Sequence, residues 1–381
     1  MFTRSFSKER RPFGDPVEIA KQNVRFEPPP FTNLVNLNLP LDIVLPGSDQ
    51  YIEQTNQLVF HTVGDTGGIN DGAIVQTAIA EAMEAQINAA AVTDKPMFFY
   101  HLGDVVYFNG ESALYPEQFY EPYKHYPAPI FAVPGNHDGD THVQAGDAPD
   151  TEATLTGFTQ NFCDSQPRHN DPYRETMTQP YVYWTMETPI VTIIGLYSNI
   201  EGLLDGRGTY EQQRWLEDQL KSAPTDRPVI IAVHHPPYSL DTAHGGYPDI
   251  GAALDRAMKV AGRNVDAVFS GHVHSYQRFT RVKDGQDIPY IIAGAGGYAH
   301  TDRALHKLQT DDSKGSIQVP FTTLVEGVSL QAYQVMQPGY MRITVTPQTL
   351  KGEYFVVPFT GAVPAAPVDT FTLDWKQHKI S

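Results

Sequence analysis

Five short apolar runs in this sequence end in side chains able to bind a metal. LVFHTV (58–63) runs into Asp65, PMFFYHL (96–102) into Asp104 with Tyr107 three residues on, and PIFAVP (129–134) into Asn136 and His137. RPVIIAV (227–233) runs into His234 and His235, and VDAVFS (265–270) into His272 and His274. Carboxylate, imidazole, amide and phenol are hard-to-borderline donors that suit divalent and trivalent cations. Each motif alone has a plainer reading: GDTGG as a turn, GDVVY with a core tyrosine, HHPP as a rigid loop. Together, each behind an apolar strand, they point to one metal site. The set exceeds the four donors of one ion and is large enough for two. A carboxylate has two oxygens, so one aspartate can bridge a pair. His272 and His274 are two apart; a strand would direct both to one side, whereas a turn could aim each at a different ion.

The elements that must position these residues alternate. Between the apolar strand patterns lie helical ones: AIVQTAIAEAMEAQINAAA (73–91), SALYPEQFYEPYKHY (112–126), TYEQQRWLEDQLKSA (209–223) and DIGAALDRAMKVAGR (249–263). Strands alternating with helices predict an α/β fold with the strands in a shared sheet, where ligands bind beyond the strands' carboxyl ends. YVYWTMETPIVTIIGLY reads as two strands around a turn. The tail is mostly β (IPYIIAGAGG, GYMRITVT, KGEYFVV), which predicts a second sheet packed on the first. Residues 1–57 are polar and broken by proline. They read as an N-terminal extension with a single candidate strand, packed on one domain spanning 58–381.

The totals narrow the classes of function. In 381 residues, 27 Lys and Arg face 44 Asp and Glu, a net charge of −17. That argues against nucleic-acid and anionic-membrane partners, which need basic patches. An anionic substrate would need a locally positive site, which a metal supplies. Cys163 is the one cysteine, so no internal disulfide forms and no catalytic cysteine is expected. Arg10-Arg11-Pro12-Phe13 resembles a twin-arginine signal, but charged sequence follows it rather than an apolar segment. No window approaches a membrane span of ~18 apolar residues. A cytoplasmic location is the default expectation, with export left open.

The order GD…GDxxY…GNHD…HxP…GHxH resembles the calcineurin-like metallophosphoesterases, and within them the purple acid phosphatase branch. The superfamily usually opens with Asp-x-His; here the opening is Asp65-Thr66-Gly67, and Tyr107 stands where the purple enzymes place a tyrosinate ligand. The resemblance implies a four-layer α-β-β-α sandwich of two mixed sheets. It implies one ion, expected to be Fe(III), on Asp65, Asp104, Tyr107 and His274. It implies a second ion, divalent Fe, Zn or Mn, on Asp104, Asn136, His234 and His272, with Asp104 bridging. It implies hydrolysis of a small phosphate monoester by a metal-bound hydroxide, with His137 and His244 as substrate-facing catalytic groups. A phosphodiesterase or nucleotide hydrolase using the same site is the alternative. A non-catalytic scaffold is a further one, but that reading predicts broken ligand positions, and all seven are present.

Other features have milder expectations. GAGGYAH (294–300) fits a turn bordering the site, and DGDTHVQAGD (138–147) resembles a calcium loop only faintly. His61, His101 and His125 are expected to be packed or on the surface, and Trp215 to anchor the core. Arg168, His169 and Arg174, in the long 139–180 stretch, are candidate phosphate contacts.

Overall fold

LVFHTV forms β2 (Leu58–Val63), and all six of its residues are buried. A strand buried on both faces needs cover on both, and that requirement organises the molecule. The protein is described by a computed structural model covering residues 12–17, 29, 36–68, 72–139, 152–200, 204, 211–298, 305–311 and 315–381. Ahead of β2 come β1 (Asn38–Pro40), α1 (Leu41–Val44) and α2 (Ser48–Thr55). After it come α3 (Gly72–Ala89), β3 (Phe99–His101), β4 (Ile130–Ala132), α4 (Asn136–Gly139), α5 (Thr156–Phe162), β5 (Trp184–Glu187) and β6 (Thr192–Leu196). Then follow α6 (Glu211–Ser222), β7 (Val229–Val233), α7 (Pro248–Ala261), β8 (Ala267–Ser270), β9 (Tyr276–Lys283) and β10 (Gln286–Ala293). The tail holds β11 (Thr310–Asp311), β12 (Gly315–Ser316), β13 (Phe321–Thr322), β14 (Val328–Gln334), β15 (Gly339–Val345), β16 (Thr349–Val356), β17 (Asp369–Asp374) and β18 (Lys379–Ile380).

Two mixed sheets result. One runs β1-β5-β6-β7-β8-β10-β9-β14-β13, the other β18-β17-β16-β15-β2-β3-β4. Within them β6, β7 and β8 are parallel neighbours, as are β2, β3 and β4. Phe60, Phe98 and Phe131 of one sheet share a core with Trp184, Ile193 and Ile230 of the other. On the outer faces, Val75, Ile79 and Met83 of α3 pack with Val63 and Phe99, while Leu216, Leu220, Leu254 and Met258 of α6 and α7 pack with Ile194, Ile231 and Val268. The layers are therefore helix, sheet, sheet, helix.

Local chemistry agrees with these elements. α3 is rich in alanine and unbranched helix formers. α7 carries Pro248 in its first turn and ends at Gly262, whose φ of 69° suits a residue without Cβ. The 112–126 stretch departs from the expected helix: Pro116 and Pro122 interrupt it, and it forms a 3-10 turn at Ser112–Leu114 and a π turn at Pro116–Tyr120. The N-terminal segment holds two short helices beyond the one strand anticipated; Leu39, Leu41 and Ile52 lie in the inter-sheet core. Trp215 packs between two core clusters. His61 is buried, bonded to Tyr126 and Gln86.

Candidate metal centre

All five strand ends meet. Asp65 follows β2, Asp104 and Tyr107 follow β3, Asn136 opens α4 behind β4, His234 follows β7, and His272 and His274 follow β8. Asp65, Asp104 and His272 have φ values of 57°, 53° and 67°, the left-handed region that few residues other than glycine occupy. Each reverses the chain just past a strand and so turns its side chain back over the strand end. The approach is tight enough that glycine is required beside it: a Cβ on Gly135 would collide with the Asp104 carboxylate and backbone nitrogen.

Each aspartate commits one oxygen to the backbone. Asp65 Oδ2 accepts the His272 N–H at 2.8 Å, and Asp104 Oδ1 accepts the His137 N–H at 2.9 Å. Their other oxygens converge on Tyr107, whose hydroxyl lies 3.4 Å from Asp65 Oδ1 and 3.1 Å from Asp104 Oδ2. His274 Nε2 closes this group, 3.4 Å from both the Tyr107 hydroxyl and Asp65 Oδ1. A second group shares Asp104 Oδ2. It lies 3.3 Å from His234 Nε2, which is 3.1 Å from Asn136 Oδ1, itself 2.9 Å from His272 Nδ1. The structure thus brings together all seven side chains expected as ligands.

This donor set fits cations. Donors bound at about 2.0–2.2 Å and at right angles on one ion lie about 3 Å apart, close to the separations in both groups. His234 makes the case most directly. Its Nδ1 donates to the Leu102 carbonyl at 2.8 Å, so in a neutral ring Nε2 would aim a lone pair at two oxygens. That contact is repulsive unless a proton or a metal cation lies between. Burial opposes charge on His234, yet the Asp104 and Asp65 carboxylates outweigh it and raise the imidazole to about 9. Burial, with Asp104 and Asp65 beside it, pushes the Tyr107 phenol well above its ordinary value, and burial likewise raises Asp65. A bound cation would reverse both tendencies. Asp104 is held below the usual carboxylate range although burial works against it, because His234 and His137 favour its charge. Burial also lowers His272 and His274, so both rings stay neutral, the form that can ligate.

Around the donors stand residues that spacing alone did not reveal. Asp138 is buried and accepts the backbone N–H groups of Val105, Val106 and Gly135, tying the Asp104 turn to the Asn136 turn. Tyr247 Oη lies 2.8 Å from His272 Nε2. Gln118 grips the Tyr107 peptide at both its N–H and its carbonyl. Tyr298, in the glycine-rich turn, stacks on Tyr107 at 4.1 Å and donates its N–H to the Asp65 carbonyl. The GNHD motif gave a signal for Asp138, and the GAGGYAH turn one for Tyr298; Tyr247 and Gln118 come from segments that gave none.

His137 donates Nδ1–H to the Phe108 carbonyl at 2.7 Å and packs on Tyr107 at 4.4 Å, leaving Nε2 as the nitrogen able to meet a ligand. His244 lies 4.5 Å from the His272 ring, and its buried Nδ1 has no partner among the described protein atoms. Its loop is held by buried Asp241, which accepts the N–H groups of Ala243, His244 and Gly245. His235, read as a spacer, is buried against His272 with Nδ1 on Ser198. His101 is also internal, bonded to Thr66. The long-stretch cations are engaged elsewhere: Arg168 pairs with Asp164, His169 with Glu175, and Arg174 with the carbonyls of Tyr123, Tyr126 and Ala128. Most of 138–147 lies outside the described residues.

Residues 50–276 match the calcineurin-like phosphoesterase family. A segment is 27% identical over 182 residues to "Probable glycerophosphodiester phosphodiesterase GpdQ" of Arcobacter nitrofigilis, covering 47% of this chain and 57% of that protein. Another is 31% identical over 138 residues to purple acid phosphatase 22 of Arabidopsis thaliana, covering 33% of this chain and 29% of that protein. The chain thus spans less than two thirds of the length of either relative. Its fold resembles that of a purple acid phosphatase from yellow lupin seeds (TM-score 0.56, 16% identity, 84% of this chain and 54% of that one). It also resembles GAP50, the anchor in the inner membrane complex of Plasmodium (TM-score 0.53, 14% identity, 82% and 89%). The chain belongs to the calcineurin-like phosphoesterase family.

Proposed function

We propose that the protein is a dinuclear-metal phosphohydrolase that cleaves phosphate monoesters, with residues 58–381 as the catalytic unit and 1–57 as an extension packed on it. The observation that carries this reading is the pair of donor groups sharing one oxygen, Asp104 Oδ2. Asp65, Asp104, Tyr107 and His274 would hold one ion, and Asp104, Asn136, His234 and His272 the other. A phenol in the first group favours Fe(III) there; the second group suits divalent Fe, Zn or Mn. When bound, such a pair supplies Lewis acidity toward the phosphoryl oxygens and acidifies water at neutral pH. The chain's own residues do the rest. Asp138 and the backbone N–H groups fix the carboxylates in place. His137 offers Nε2 to the phosphoryl or leaving oxygen, with its ring plane set by the Phe108 carbonyl. His244, with its unpartnered Nδ1, serves as a second contact and proton donor beside His272. General acid assistance from either is worth ~10²–10⁴-fold.

A phosphodiesterase is the second reading, favoured by the likeness to the Arcobacter protein. The deciding experiment compares a chromogenic phosphate monoester with the matching diester across pH, using Asp104→Asn and His137→Ala as controls. Monoester preference abolished in Asp104→Asn supports the proposal. Diester preference moves the function to a phosphodiesterase, and no turnover by the metal-loaded protein overturns both.

A further inference from the structure

Tyr247 lies between two of the loops that carry the second donor group, and no motif pointed to it. Its backbone N–H donates at 2.8 Å to the carbonyl of Pro236, in the loop that begins with His234. Its hydroxyl lies 2.8 Å from His272 Nε2. One residue thus ties the loop after β7 to the turn after β8. Its own backbone is set by α7, which it precedes: the Ile250 and Gly251 N–H groups donate to the Tyr247 carbonyl at 3.1 and 3.3 Å. The ring packs on His235 with centroids 4.5 Å apart, and the residue is 4% exposed. Packing accounts for the ring. It does not account for a buried hydroxyl set on an imidazole nitrogen. On the other side of that imidazole, Nδ1 lies 2.9 Å from Asn136 Oδ1, in the donor group that includes His234 and Asp104.

We propose that Tyr247 is a positioning residue for the second ion: its hydroxyl oxygen accepts the His272 Nε2–H and holds Nδ1 toward the other donors of that group. The inference rests on the phosphohydrolase reading and deepens it by naming what orients one of the ligands. A neutral imidazole carries its proton on one nitrogen only. Ligation through Nδ1 therefore puts the proton on Nε2, which needs an acceptor where the phenol oxygen stands. Both anchor points of Tyr247, the His234 loop and the His272 ring, belong to the second group, so its effect should fall on that ion.

The test uses the full chain with Tyr247→Phe, which drops the oxygen and keeps the ring, and Tyr247→Leu, which drops both. Zinc is the probe, and its two dissociation constants are read by competition with a chromogenic chelator. Denaturant unfolding of the metal-free proteins and hydrolysis of an aryl phosphate are measured alongside. In Tyr247→Phe one dissociation constant should rise by about 10–100-fold while the other stays at its wild-type value. Tyr247→Leu should show the same zinc defect, with a further loss of stability from the cavity it leaves. Wild-type zinc binding in Tyr247→Phe overturns the inference whatever its stability, and the residue would then serve packing alone. So does an equal weakening of both ions, which would make Tyr247 a general support of the strand ends. A wild type that binds two zinc ions but hydrolyses no ester defeats the phosphohydrolase reading, while the zinc comparison still decides the role of Tyr247.

Discussion

Gln118 offers a sharp test of how the site is built, because its work is done on a backbone rather than on a ligand atom. Its Oε1 accepts the Tyr107 N–H at 2.9 Å and its Nε2 donates to the Tyr107 carbonyl at 2.7 Å. Gln118 is 5% exposed and Tyr107 1%, so water cannot replace either bond. In Gln118→Met, nearly isosteric but apolar, both peptide groups lose their partner inside the protein. Each buried group left unsatisfied costs about 1–3 kcal/mol, which gives about 2–6 kcal/mol for the pair. The second effect falls on the metal. Tyr107 would no longer be held at its distances from Asp65 and Asp104, and residues that orient ligands typically contribute about 10–100-fold to metal affinity. Denaturant unfolding of the metal-free protein reads the first effect, and competition with a chelator reads the second. Gln118→Glu keeps the acceptor but regains a donor only when protonated, so its deficit should shrink as pH falls. If Gln118→Met unfolds within about 0.5 kcal/mol of wild type and retains its metal, the clamp is not what positions Tyr107.

Two further outcomes are expected. Gly135→Ala would drive a methyl into the Asp104 carboxylate; it should abolish metal retention and hydrolysis together, and a variant that keeps both would show that the turn has room to yield. Burial lowers His61 and His101 to about 3 each, below their ordinary 6.5. The unfolded chain therefore takes up these protons first. Their stabilisation is complete above pH 6.5 and is lost as pH falls toward 3, by about 1.4 kcal/mol per pH unit for each ring. Unfolding of His61→Gln at pH 5 should accordingly take up about one proton fewer than wild type; an unchanged slope of stability against pH would refute the assignment.

The parts legible in the sequence were those encoded locally. An apolar run followed by Asp65, Asp104 or His234 carries both the strand and its cargo within about eight residues, so the strand ends and the donor set could be read together. The supports could not. Gln118 reaches Tyr107 across eleven positions, Tyr247 reaches His272 across 25, and Asp138 reaches Val105 across 33. No periodicity marks a residue whose partner depends on how two sheets stack. Arg168, His169 and Arg174 illustrate the reverse error, since positive charge suggested phosphate, while the chain uses those groups on nearby carboxylates and carbonyls. The 112–126 stretch had helical composition, but its prolines divided it into tighter and wider turns.

The left-handed backbone at Asp65, Asp104 and His272 bears on how this protein would respond to selection. A side chain held there costs roughly 1 kcal/mol or more relative to glycine, and each of the three is also a buried polar group. A library screened for heat resistance alone would therefore be drawn toward glycine at these positions. Its winners would be sturdier proteins with an empty centre. Improving the molecule would mean screening for stability and metal retention at once, because at these strand ends the two demands pull the sequence in opposite directions.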